Sequence, residues 1–267
     1  MSLLESILYG ITQGITEFLP ISSSAHLALL PKFLKFQDPG AFFDLSLHLG
    51  TALAILLYFR REVRAVGVDL WKMILSKRVS TPSEAFSLNL IVATITTVLF
   101  AFALKGPALE YGRSVVFIGA NFIVFGILML LADTFGPSLP EGLMQKIQKK
   151  RSFFIGLAQV LALFPGVSRS GATLTMGRMM GLNRSESTRF SFLLSLPLII
   201  GGIILEHRRF LSEDTPFEFS SVVTGCVVSF VVGLAVIHYF LKWIPKMGLW
   251  PFAVYRVCFG VWLLSFY

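Results

Sequence analysis

The chain has 267 residues, of which 55% are hydrophobic and 14% charged, and its formal net charge is +8. A soluble domain carries about 25% charged residues, so this composition excludes a soluble fold and describes an integral membrane protein. The basic residues sit in loops beside apolar runs, where membrane orientation accounts for them, so no nucleic-acid partner is expected.

The first apolar run covers residues 2–19 and stops at Pro20 and the serines Ser22, Ser23 and Ser24; a short helix over 23–34 follows. No cleaved signal is expected there. Glu5 comes early, no basic stretch precedes the run, and Gln13 and Glu17 interrupt it. Three runs of about 20 residues, the length that crosses a bilayer, then occupy 42–59, 86–105 and 114–133. A second broken segment, 152–164, ends at Pro165-Gly166 and precedes a short helix at 170–181. Runs at 187–206, 219–241 and 249–266 complete a set of six. Cys226 and Cys258 lie in apolar runs, which argues against a disulfide framework or a zinc site.

Each broken segment reads as a helix–turn–helix that enters the membrane and leaves by the same side. Irregular backbone at that depth is tolerated only where protein or a wet cavity surrounds it. Loop 60–80 carries six basic residues from Arg60 to Arg78, and loop 134–151 carries Lys146, Lys149, Lys150 and Arg151. Both are expected on the cytoplasmic side, together with 242–248, while 106–113 and 207–218 fall outside. The first hairpin then enters from outside and the second from the cytoplasm, so their tips meet near the midplane.

Gly10-Ile11-Thr12-Gln13 is loosely echoed by Gly156-Leu157-Ala158-Gln159, and each broken unit precedes three spans. The expected fold is therefore an all-α integral membrane protein: six transmembrane helices plus two re-entrant hairpins in an inverted-topology repeat. It forms a single membrane domain, 1–267, with repeat one at about 1–133, repeat two at about 152–267 and a cytoplasmic linker at 134–151.

The tips carry the chemistry. An ionisable group at membrane depth marks a functional site by default. Gln13 and Glu17 are four apart and share a helix face, so they suit either a hard cation such as Mg²⁺ or Ca²⁺ or a polar bond to the other hairpin. His26 is spaced to touch Ser22 or Ser23, as a base, a nucleophile or a proton donor. His48 and His238, in ordinary runs, read as packing residues. On the second tip, Arg169 offers a planar fork for phosphate oxygens. Ser168, Ser170 and Thr173 add hydroxyls, and Gly166 and Gly171 permit a tight turn into a helix N-terminus. Arg169 is also expected to neutralise Glu17 when no anion is bound. Together these groups fit metal-assisted phosphoryl transfer on a lipid phosphate, whose tail stays in hydrocarbon.

The Gln13-x-x-x-Glu17 pair, the serine run ending at His26, and the stretch from Pro165 to Thr173 (PGVSRSGAT) resemble the undecaprenyl-diphosphate phosphatases of bacteria, the bacitracin-resistance family. Glutamine at position 13 stays within that family's pattern. The resemblance implies hydrolysis of undecaprenyl diphosphate to undecaprenyl phosphate and inorganic phosphate, which recycles the carrier lipid for peptidoglycan. Bacitracin sequesters the same substrate, so extra enzyme confers resistance. The resemblance further implies a divalent cation, Mg²⁺ or Ca²⁺, and a bacterial inner-membrane location with the site open to the periplasmic face. Gln13 and Glu17 become metal-associated residues, Glu17, Ser23, His26 and Arg169 catalytic ones. Gly166, Ser168, Arg169, Ser170 and Thr173 become the diphosphate-binding set. The nucleophile stays open between Ser23, His26 and water, and a homodimer stays open as a partner. The competing reading is a lipid-phosphate transporter that uses the same headgroup site.

Overall fold

A computed structural model gives the fold. It describes residues 1–111, 114–137, 139, 141–146, 148–210 and 219–266, without the side chains of 41, 105–111 and 205–210. Among the described residues all regular secondary structure is helical. Most of the expected outer loop 207–218, with Glu213, Asp214 and Glu218, lies outside the described residues, as do 112 and 113 of loop 106–113.

Helix α1 spans Leu3–Thr16 and opens on a capping box, in which Ser2 Oγ accepts from Glu5 N–H at 3.2 Å and Glu5 accepts from Ser2 N–H at 2.8 Å. The chain turns over Pro20 and starts α2 (Ser23–Leu34) from Ser22, whose φ of 75° is left-handed. The second hairpin repeats this plan. Helix α7 (Lys149–Val160) passes through one 3-10 turn, Leu161–Leu163. Helix α8 (Arg169–Met179) then starts from Ser168, which also has a left-handed φ, 69°. A non-glycine residue in that region costs on the order of 1–3 kcal/mol, so both turns are held by their surroundings.

Helices α5 (Pro82–Tyr111), α6 (Val115–Phe135), α9 (Arg184–Phe210) and α10 (Phe219–Met247) are long and apolar enough to cross a membrane. Helix α3 (Gly40–Tyr58) passes the same test only with α4 (Arg60–Ser76), from which it is bent by 81°. Among the described residues the structure thus offers four full-length spans, or five with the bent pair, against the six expected. The sixth, α11 (Trp250–Leu264), has 15 residues, about 22 Å at 1.5 Å per residue and short of a hydrocarbon core of about 30 Å. Nor is 60–80 mainly loop, because α4 fills most of it. Arg60, Arg61 and Arg64 begin α4, and a charged start does not continue into hydrocarbon. Its far turns expose Trp71, Ile74 and Leu75 at 65–67%, the two-faced pattern of a helix lying along a membrane surface.

Helix α10 lies against α1 and α3, α7 against α5, α11 against α6, and α8 against α6, α7 and α9. The contacts of α1 with α10 and of α7 with α5 both run over a glycine. A Cβ at Gly10 would stand 2.8 Å from Gly225 O, and one at Gly156 would stand 2.3 Å from Ala93 O. Without a hydrophobic drive between helices in lipid, such close backbone approach supplies the packing energy. The first tip is wedged by Phe18, wholly buried, whose ring meets Phe192 of α9 edge-on at 5.2 Å. At the far end of α8, Asp133 of α6 accepts from Arg178 at 3.2 Å, from Arg184 at 2.8 and 3.0 Å, and from Leu249 N–H at 2.8 Å. That cluster fastens the C-terminal end of α8, and Arg151 Nε at the start of α7 donates to Met180 O beside it at 3.0 Å.

Candidate active site

Glu17 closes α1 at 5% exposure and is the centre of the contact between the hairpins. Its Oε1 accepts from Arg169 Nη2 at 2.5 Å. Its Oε2 accepts from Ser23 Oγ at 2.6 Å and from Gln13 Nε2 at 3.1 Å. Local geometry explains the set: Gln13 lies one turn earlier on the same face, and the turn at Pro20 folds the start of α2 back over the end of α1. Arg169 is the first residue of α8, so its fork and the positive potential of that helix N-terminus point to one place.

Further bonds lock the tips in register. Gly166 N–H donates to Ser22 Oγ at 3.2 Å, and Ser170 Oγ donates to Leu19 O at 3.1 Å. Ser168 Oγ caps α8 by accepting from Gly171 N–H at 3.1 Å. A cavity of about 350 Å³ opens between them. Glu17, Ser22, Ser23, Ser24, Ser168, Arg169, Ser170 and Gln159 line its polar side; Leu45, Val160, Leu163, Leu198 and Ile199 line its apolar side. The cavity thus joins charged and hydroxyl groups to an apolar lining.

The structure gathers Glu17, Ser23, Ser168, Arg169 and Ser170 at this cavity, while the other expected residues stand behind it. Gln13 is wholly buried beneath Glu17. Gly166, at φ 91°, makes the turn behind the second tip. Thr173 lies one turn into α8, where it donates to Arg169 O at 2.9 Å and meets Ser191 Oγ of α9 at 2.6 Å. It braces Arg169 from below.

His26 corrects the expectation of an imidazole against Ser22 or Ser23 hydroxyl. Its ring faces away from the cavity, stacked on Phe259 at 5.3 Å and Tyr255 at 5.9 Å. Its Nδ1 bonds Ser22 backbone O at 2.7 Å and its Nε2 bonds Tyr255 Oη at 2.6 Å. A carbonyl only accepts, so Nδ1 carries the hydrogen, and Nε2 accepts from the phenol when the ring is neutral. Both ring nitrogens are thus engaged on the side away from the serine hydroxyls. The aromatic rings of α6 and α11 captured a side chain whose local spacing matched the serines equally well.

His48 corrects the opposite expectation. It lines the cavity with Asp44 one turn before it, and its Nε2 stands 3.6 Å from Glu17 Oε2. Its Nδ1 bonds Asp44 backbone O at 2.8 Å, which turns Nε2 toward the site. Gln159 was seen only as an echo of Gln13. It too lines the cavity, and its Nε2 donates to Thr97 Oγ1 at 3.0 Å.

A divalent cation has no preformed cage here, since among the described residues no three or more His, Cys, Asp or Glu are placed so that together they could hold a metal ion. The donor chemistry nonetheless suits a hard ion. The side-chain carbonyl oxygens of Gln13, whose amide donates to Glu17, and of Gln159, which lines the same cavity as Glu17, are buried with no hydrogen-bond partner. Mg²⁺ and Ca²⁺ take such oxygens, and Mg²⁺ keeps several waters and shares substrate phosphates instead of demanding an all-protein shell.

Fold and cavity define an all-α membrane protein with a cavity bearing a carboxylate and a guanidinium between two paired hairpins. The family model for bacitracin resistance protein BacA matches residues 6–262. The chain is 41% identical over 266 residues to the undecaprenyl-diphosphatase of Alteromonas mediterranea, covering 100% of this chain and 99% of that one. It is 38% identical to the undecaprenyl-diphosphatases of Marinobacter nauticus (96% of each chain) and Idiomarina loihiensis (98% of this chain, 97% of that one). The chain belongs to the bacitracin resistance protein BacA family.

Proposed function

We propose that this protein hydrolyses undecaprenyl diphosphate to undecaprenyl phosphate and inorganic phosphate, and so confers bacitracin resistance by recycling the carrier lipid. The observation that carries the reading is the junction of Ser23, Glu17 and Arg169 at the mouth of a cavity whose other wall is apolar. The lipid's isoprene end lies along Leu163, Leu198 and Ile199, and its diphosphate meets Arg169, Ser168 and Ser170. Arg169 exchanges Glu17 for phosphate oxygens, which it binds as a bidentate fork. Ser23, whose hydroxyl already donates to Glu17, gives up that proton to the carboxylate and attacks the terminal phosphorus. The bond from that phosphorus to the bridging oxygen breaks, and undecaprenyl phosphate leaves with the electron pair. Water then attacks the phosphoserine, Glu17 returns its proton to the departing Ser23 oxygen, and inorganic phosphate leaves with the protons of the water, which restores both the hydroxyl and the carboxylate. Positioning and charge neutralisation supply most of the acceleration in phosphoryl transfer.

A divalent cation, Mg²⁺ or Ca²⁺, is part of this proposal. Glu17 would hold it, with the unpartnered carbonyl oxygens of Gln13 and of Gln159 on the cavity lining as further donors, and it would neutralise charge on the phosphoryl oxygens. An inner-membrane location with the site open to the periplasmic face is also part of the proposal, and the family resemblance is what supports it. The inverted repeat is supported by the way helix contacts exchange, since α1 on α10 matches α7 on α5 and α3 on α10 matches α9 on α5. A transporter would need headgroup binding alone. The Ser23–Glu17 bond exceeds that need, and it favours hydrolysis.

The test is phosphate release from undecaprenyl diphosphate by purified protein, with and without EDTA. Release that EDTA abolishes and Mg²⁺ or Ca²⁺ restores is expected. Protein that releases no phosphate yet moves labelled lipid across vesicles would overturn the enzyme reading.

A further inference from the structure

We propose that Arg256 is a positioning residue of the active site: it clasps both hairpin tips from behind and sets the register in which Ser23 and Arg169 face one phosphate. The inference rests on the phosphatase reading above. Arg256 belongs to α11, is wholly buried, and touches nothing in the cavity. Its Nη1 donates to Pro20 O on the first tip at 3.1 Å, across 236 residues. Its Nη2 donates to Gly166 O on the second tip at 2.7 Å, and to Asn121 O of α6 at 3.3 Å. Pro20 and Gly166 each lie three residues from the side chain that matters on their tip, Glu17 and Arg169.

Two chain turns in a membrane interior strand backbone carbonyls that no water reaches. One planar guanidinium answers both at once, and its fixed fork then dictates the distance between them. An ammonium is a point charge on a flexible stem and fixes no such angle. The charge itself is unusual. Among the described residues no carboxylate pairs with Arg256, and its Nε has no partner. Its guanidinium carbon lies 5.4 Å from the Phe122 ring centroid. A Cβ on Gly171 would stand 3.1 Å from Nη1, so the guanidinium lies against the first turn of α8. Glu17 cancels the charge of Arg169, but that of Arg256 stays uncancelled beneath the anion site. Removing a charge from water without a counter-ion is costly, and an apolar side chain would fill the space at less expense. Neighbouring residues grip the same two tips: Asn121 Nδ2 donates to Pro165 O at 2.9 Å, and Tyr255 holds His26.

The experiment compares purified Arg256→Met, Arg256→Lys and Asn121→Ala with the unmodified protein. It reads thermal unfolding in detergent, kcat and KM for phosphate release from undecaprenyl diphosphate, and inhibition by inorganic pyrophosphate as a probe of the headgroup seat. A displacement of about 1 Å between reacting groups costs roughly 100-fold, so kcat per folded molecule falls by about that factor in Arg256→Met. The lysine variant recovers only a small part of it, and Asn121→Ala falls less, in the same direction. Pyrophosphate inhibits all of them more weakly. A merely structural arginine would lower the unfolding temperature and leave kcat of the folded fraction unchanged, which overturns the proposal. Full recovery by lysine overturns it too, since charge alone would then suffice. Should Arg256→Met fail to fold, wild-type kcat in both other variants is the refuting result. Unmodified protein that releases no phosphate refutes the phosphatase reading instead, and the same assay shows it.

Discussion

Replacing Glu17 by glutamine separates base from binding in a single substitution. The carboxylate accepts three hydrogen bonds, from Arg169, Ser23 and Gln13. An amide has one accepting oxygen. If that oxygen stays on Arg169, the new NH₂ faces Gln13 Nε2 and the Ser23 hydroxyl, a donor against a donor in the first case and no base in the second. Loss of a positioned base costs about 10²–10⁴-fold in kcat, equivalent to about 3–5 kcal/mol of barrier. Arg169, left as an uncompensated charge in a site where its side chain is 13% exposed, removes a further amount of the order of 3–5 kcal/mol from folded stability. The same release frees Arg169 for substrate, so KM stays level or falls while kcat drops. Steady-state phosphate release at varied lipid concentration, beside a thermal melt in detergent, reads all three effects. A Glu17→Gln enzyme with kcat within tenfold of wild type would refute the assignment of Glu17 as base.

Ser23→Ala should abolish the acid-stable phosphoserine trapped by quenching with terminally labelled substrate; label retained on the variant would move the nucleophile elsewhere. Tyr255→Phe keeps the ring stack on His26 and deletes one hydrogen bond, so phosphate release should fall by about tenfold or less. A thousandfold loss would return His26 to proton transfer. Gly156→Val would drive a side chain into Ala93 O, which an added Cβ would already approach at 2.3 Å. Its unfolding temperature should drop sharply, and an unchanged melt would refute the close packing of α7 on α5. Gln159→Leu should weaken Mn²⁺ binding measured by electron paramagnetic resonance, and equal affinity would remove Gln159 from the cation's surroundings.

Both hairpins, and the meeting of Glu17 with Arg169, were legible in the sequence because proline, glycine and serine interrupt apolar runs and because charge at that depth demands a partner. Ser23 stood out by its place in the serine run and its spacing to His26, but its partner is Glu17. What stayed hidden was set by contacts between distant elements. His26 has a spacing that fits the serines, yet Tyr255 and Phe259, more than two hundred residues on, took its ring. His48 sits in an ordinary apolar run, and only the packing of α3 beside the first tip brings it to Glu17. Arg256 follows a tyrosine in the last helix with no motif around it, and its three acceptors are backbone oxygens, which leave no trace in side-chain identity. The bend before α4 was marked by Arg60 and Arg61, but basic residues beside a span read equally well as loop.

On the proposed reading, the bond between Arg169 and Glu17 means that the seat for phosphate is held by the protein's own carboxylate before substrate arrives. Each turnover begins and ends with a swap of one anion for another, the protein's own carboxylate acting as a returning tenant. Free anions from the surroundings must evict Glu17 before they can settle, which keeps the seat clear of adventitious guests. When the chemistry leaves only inorganic phosphate behind, the tethered carboxylate competes for the guanidinium at an effective concentration no dissolved product matches, and so drives that product out.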